Sequence, residues 1–199
     1  MTVVISKKRD YRPHFEAMEG ARVLFSLSQE QKNNPHFPLL GSILLCAFAY
    51  EGYLNFLGRR IFSSWESFER QLSWQSKTKL LSDYAGIQID ESREPFQTVK
   101  KLFSFRDGMA HPKPKDLEET CHVTEAEVQS CFFEKTKSKE EEFVTKENAK
   151  ICMKSANDLM RFLFENARKK FEKDHPAQNS TDFATFAPNI GSRTSAMRK

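Results

Sequence analysis

Leu39–Gly58 reads LLGSILLCAFAYEGYLNFLG, and the surroundings those residues require decide the fold. The run is close to the roughly 20 apolar residues that a membrane span needs. Glu51 and Asn55 lie inside it, however, and Arg59-Arg60 close it. An ionisable group held in hydrocarbon is expensive. The segment is therefore read as a helix buried on nearly every side, the central helix of an all-α domain, and no membrane span is expected. With 7 Gly and 8 Pro in 199 residues, the chain has too few breakers for a turn-rich β-sandwich or barrel. That length suits one domain whose core needs no disulfides.

On either side the apolar spacing is helical. Residues 13–31 place Met18, Ala21, Leu24, Phe25 and Ser28 on one face, and Pro13 suits a first helical turn. Ser63-Ser64-Trp65-Glu66 has capping-box spacing and predicts a third helix, with Trp65, Phe68, Leu72 and Leu80 on its apolar face and Gly86 at its end. A fourth is expected from about Arg93 to Ala110, carrying Phe96, Val99 and Phe103; Pro112 turns His111 away from helical angles. Residues 112–144 hold Pro112, Pro114 and the charge run EKTKSKEEE (134–142), so they read as an exposed loop or small insertion, with a short element near Val123–Phe133. Thr145 caps a last helix whose face is Cys152, Ala156, Leu159 and Leu163 and which runs to about Phe171. The composition of residues 173–199 predicts a disordered tail, and residues 1–12 an N-terminal arm. The expected architecture is an up-and-down bundle of about five helices over residues 13–172.

Charge and cysteine content narrow the function classes. Thirty-one basic against 27 acidic residues gives +4, too mild to signal nucleic-acid binding by charge alone. Met1–Ser6 is too short an apolar run for a secretory signal. The four cysteines (Cys46, Cys121, Cys131, Cys152) form no C-x-x-C pair, so they read as reduced thiols in a cytoplasm. Cys121-His122 with Cys131 matches no common zinc spacing, and no metal or cofactor is expected.

The chemically informative stretch is LFSFRDGMAHPKP (102–114), where Arg106-Asp107 precedes His111 at the end of an amphipathic helix. The bare spacing is weak evidence, because Arg9-Asp10-Tyr11-Arg12-Pro13-His14 repeats it in a basic N-terminal stretch interrupted by proline. What distinguishes Arg106–His111 is its setting, a helix end that follows a buried helix with an internal carboxylate. In that setting it resembles the R-x4-6-H motif of the HEPN superfamily of helical domains, whose active members are mostly metal-independent endoribonucleases. The supporting context is also similar: AYEGYLN (49–55) on the central helix, then the Trp- and Lys-bearing WESFERQLSWQSKTKL (65–80).

The resemblance implies that RNA is cut by its own 2′-OH, with a 2′,3′-cyclic phosphate as product and DNA inert. Histidine, with an ordinary pKa near 6.5, suits the proton transfer. Arginine stays charged and grips phosphate oxygens in bidentate fashion. Arg106 and His111 are the expected catalytic pair, Asp107, Glu51 and Asn55 their supports, and Lys113 and Lys115 weaker RNA contacts. The two lie about 140° apart around an ideal helix, so only the long arginine lets them converge. One such pair makes a thin site, and the resemblance implies a homodimer whose two motif helices line one cleft, as a toxin or anti-phage effector beside a neutralising protein partner. Two departures are visible. Asp107 stands where asparagine is frequent, and Lys113 stands where some toxins of the superfamily carry tyrosine. Plainer readings stay open: Arg106 as a structural ion pair with Glu51, His111 as a helix end favoured by the dipole, and the whole chain as a non-catalytic adaptor for a protein or nucleotide.

Overall fold

Pro13, whose fixed φ and missing N–H suit a first helical turn, opens α1 (Pro13–Glu30). A short connection leads to α2 (His36–Ile61), which buries Ile43, Cys46, Tyr50, Tyr53, Leu54 and Leu57 among others and is the central helix of the domain. The computed structural model describes residues 5–31, 34–120, 122–125, 128–129, 135–175, 183–191 and 193–198. The two helices run antiparallel at close range. A Cβ on Gly20 would meet Leu45, one on Gly52 would meet His14, and the Ser42 hydroxyl donates to the Ala21 carbonyl at 2.8 Å. Among the described residues α2 is the one helix long and apolar enough to cross a membrane, and half of its most apolar stretch is buried in the fold.

The third expected helix is broken in two. Ser64 makes no side-chain cap, and the chain forms only α3 (Trp65–Phe68) and a 3₁₀ turn, Glu69–Gln71, before Leu72 turns extended. The true cap is Ser73, whose hydroxyl accepts the Ser76 N–H and starts α4 (Trp74–Ala85). This restart shifts the buried face to Trp74, Lys77, Thr78 and Leu81, leaving Leu80 half-buried. Gly86 then stops α4 in the left-handed region at φ +68°. The fourth helix, α5 (Phe96–Ala110), starts three residues later than its apolar pattern allowed, after Pro95.

The 112–144 region is only partly a loop. Residues 112–120 are exposed, but Ser138 and Glu141 form a reciprocal capping box that opens α6 (Lys139–Phe143). Phe143 packs on Phe105 of α5, ring centroids 5.0 Å apart. The element expected near Val123–Phe133 lies largely outside the described residues. Thr145 caps α7 (Lys146–Asp174), as its sequence predicts, and α7 packs against α2, α4 and α5. The described residues are predominantly helical, in accord with the all-α expectation.

The disorder expected of residues 173–199 does not hold for the described residues 183–191 and 193–198. Phe183 is buried against Phe164, Phe171 and Phe186, and the Tyr53 hydroxyl donates to the Phe186 carbonyl at 3.1 Å. Beyond it β2 (Arg193–Arg198) pairs antiparallel with β1 (Ile5–Asp10), so the described part of the N-terminal arm is mostly strand. The physical reason is the two phenylalanines: Phe183 and Phe186 offer enough apolar surface to offset the ordering of a polar segment.

Candidate functional site at the end of α5

Arg106 stands on the last turns of α5, partly exposed, and its surroundings are built from three helices. From α2, Glu51 Oε2 accepts from Arg106 Nη1 at 3.3 Å. Arg106 Nε lies 2.8 Å from Asp107 Oδ1 as an ion pair without hydrogen-bond alignment, its N–H unsatisfied. The guanidinium sits over the Phe103 ring, 4.9 Å from its centre. From α4, Lys77 Nζ reaches the other Glu51 oxygen at 3.1 Å. Glu51 therefore bridges two cations on two helices.

The first turns of α4 fix this arrangement. Trp74 stacks on Phe103 with centroids 4.5 Å apart, and the Thr78 and Tyr50 hydroxyls are hydrogen-bonded at 2.9 Å. Both contacts are buried and share the Tyr50 ring, so one cluster locks α4 to α2 and α5. Lys77 was not visible as a site residue from the unbroken helix that the sequence pattern predicts. The Ser73 cap would have found it, because counting from that cap places Lys77 on the buried face with Trp74, Thr78 and Leu81.

His111 is the residue that follows α5, exposed, with its backbone N–H on the Asp107 carbonyl at 3.0 Å. It lines a groove of about 380 Å³ with Met109, Lys113, Leu117, Ser138 and Glu140 among others; Arg106 is not among the lining residues. Arg106 and His111 are thus presented at one helix end without a hydrogen bond between them. Lys113 is exposed on the groove rim, while Lys115 is held by Glu140 at 2.6 Å.

The expected supports divide. Glu51 and Asp107 both engage Arg106, but Asn55 does not: its Oδ1 is buried without a hydrogen-bond partner among the described residues. Comparison of the chain with known protein families, curated proteins and solved structures finds no match.

The N-terminal repeat of the motif spacing is placed where no substrate reaches it. Arg12 is buried, donating to Asp10 and to the Thr185 and Ile190 carbonyls at 2.6 and 3.1 Å. His14, on the first turn of α1, is buried between Tyr53 and Phe56. Burial and the neighbouring Arg12 charge lower its pKa to about 4, against a smaller opposing effect of Asp10. Cys46 and Cys152 are buried free thiols whose pKa values burial raises. Among the described residues no group of three His, Cys, Asp or Glu side chains is placed to hold a metal ion; Cys121 and Cys131 lie outside them.

Proposed function

We propose that the chain is a HEPN-like endoribonuclease that cuts RNA without a metal, working as a homodimer. The observation that carries this reading is the Glu51–Arg106 pair, which ties the motif arginine to the central helix while His111 stays exposed at the helix end. Arg106 grips the scissile phosphate by exchanging its poorly aligned Asp107 contact for phosphate oxygens, and Glu51 keeps it oriented. One His111 imidazole takes the 2′-OH proton as the 2′ oxygen attacks phosphorus, and the imidazole of the second copy gives a proton to the departing 5′ oxygen. The P–O5′ bond breaks and a 2′,3′-cyclic phosphate remains.

The outer side of α5 exposes Lys100, Lys101, Ser104 and Asp107, a polar surface that suits phosphate contact. Pairing of two copies through that side would make a wet interface rather than a dry one. The up-and-down HEPN-like arrangement, the cytoplasmic setting and the toxin role with a neutralising partner belong to the same proposal.

The test is cleavage of one labelled RNA, and DNA of the same sequence, by purified protein in excess EDTA. RNA alone should be cut, leaving cyclic-phosphate ends. Arg106→Ala should lose on the order of 10²–10³ in kcat, and His111→Ala roughly 10²–10⁴, with both variants folded. Expression alone should slow growth of the host, and either variant should abolish that effect.

A second reading, a non-catalytic adaptor, draws on a specific observation. Val23 and Leu27 of α1 and Phe37 and Phe48 of α2 are exposed, a large apolar complement for a surface. On that reading the folded protein cuts no RNA, and the Arg106 and His111 variants change only stability.

A further inference from the structure

Lys77 lies outside the Arg106–His111 spacing, in the Lys-bearing stretch 65–80, and it is 3% exposed and carries a charge into the α2–α4–α5 junction. A buried ammonium is costly unless a partner compensates it, and here Glu51 Oε1 does so. The same carboxylate orients Arg106 through its second oxygen. We infer that Lys77 is a positioning residue of the Arg106 site: by holding one oxygen of Glu51 it fixes the carboxylate that aims the guanidinium, and it offsets that carboxylate's charge. This inference rests on the ribonuclease reading and extends it to a third helix.

Two observations carry it. Charge comes first: Lys77 and Arg106 face Glu51 and Asp107, so the cluster is balanced as it stands. Without Lys77 it would be net negative where a phosphodiester has to approach, and Arg106 would be wholly committed to two carboxylates. Geometry comes second. Trp74, one turn before Lys77 on α4, stacks on Phe103, whose ring lies under the Arg106 guanidinium. A single turn of α4 thus supports Arg106 from two sides, through a carboxylate and through an aromatic face.

The test is a double-mutant cycle on RNA cleavage, with Lys77→Met, Glu51→Gln and the pair, each assayed well below its melting temperature so that all protein is folded. Lys77→Met should lower kcat about as much as Glu51→Gln, roughly a hundredfold, with a smaller change in KM. The pair should be no worse than Glu51→Gln alone. Lys77→Met that melts earlier but keeps the wild-type kcat overturns the inference, as does a pair whose losses multiply. Should Lys77→Met not fold, the pair, which leaves no unpaired buried charge, carries the test: a kcat below that of Glu51→Gln overturns the inference, and an equal one supports it. If the wild-type protein cuts no RNA, it is the ribonuclease reading that fails. The hold of Lys77 on Arg106 is then read from the Arg106 Nε–H resonance in NMR spectra. A resonance shifted or broadened by Lys77→Met supports it, and an unchanged one overturns it.

Discussion

His14 keeps both ring nitrogens buried without a hydrogen-bond partner among the described residues, between Tyr53 and Phe56 and beside the Arg12 charge. Only the neutral ring is tolerated there, and its pKa falls to about 4. In the unfolded chain the ring titrates near 6.5, so between these values the unfolded state binds more protons. The neutral ring's contribution is complete above pH 6.5, is lost as the pH falls towards 4, and then levels off. Across that window the loss is roughly 3 kcal/mol. His14→Leu should flatten this part of the curve. The check is urea unfolding of both proteins at pH 7 and pH 4.5, where the variant should lose markedly less stability than wild type. At pH 7 the variant should be no less stable, because replacing unpartnered polar atoms by an apolar group of similar size removes a desolvation cost. At this scale the sequence was legible where chemistry is local. Glu51, Arg106 and His111 stand out by type and spacing, and the structure brings Glu51 to Arg106. Arg12 was not legible, because what makes it matter is burial against carbonyls far along the chain, and Lys77 is legible only once the helix is started at Ser73.

Among the elements, α1, α2 and α7 follow directly from apolar periodicity, with Pro13 opening α1 and Thr145 capping α7, whereas the stretch from Trp65 to Ala85 does not. Its apolar residues fit one continuous helix locally, but Gly58 and Trp65 override that pattern. The Trp65 indole lies flat against the backbone of α2 at Gly58, where any Cβ would collide with ring atoms, and it stacks on Phe62 with centroids 5.8 Å apart. Seating Trp65 in this way turns the chain sharply after α2, and the helix has to begin again at Ser73. Gly58→Ala should therefore displace the indole at a cost of about 1–3 kcal/mol, read as a lower urea midpoint with unchanged slope. A loss of helix capping alone would leave Trp65 fluorescence as it is; displacement of the ring should shift it. The acidic stretch before α7 shows the converse case. Its charges read as solvated loop, yet the Ser138–Glu141 capping box is a local signal that does specify α6.

For the molecule as a whole, the described C-terminal residues act as a clasp across α1, α2 and α7. Phe183 fills a pocket of phenylalanines, Tyr53 donates to Phe186, and the Thr185 and Ile190 carbonyls accept from Arg12. Arg60 adds its charge over the Phe56 and Phe186 rings and pairs with Asp10 at 3.5 Å. Phe183→Ala should cost about 3–5 kcal/mol, a large share of the stability of a domain this size. Ending the chain at residue 182 should cost at least as much, since it also strips carbonyl acceptors from a buried guanidinium. Both are read by thermal melting. Composition could not foretell this clasp, because two phenylalanines in a polar stretch look like noise until their receiving surface is known.

The pairing of β1 with β2 and the grip of Arg12 on Thr185 and Ile190 carry a consequence for synthesis on the ribosome. Residues 5–12 emerge long before their partners at 185–198. For most of the synthesis between them the first strand is an open edge, and the Arg12 guanidinium, paired locally with Asp10, lacks the two carbonyls that complete its setting. α1, α2, α4, α5 and α7 can condense as they appear, since their contacts are largely with one another. The seam between these two segments closes only when residues 185–198 clear the exit tunnel, which makes it a slow contact to acquire and one that a nascent-chain protease would find undone.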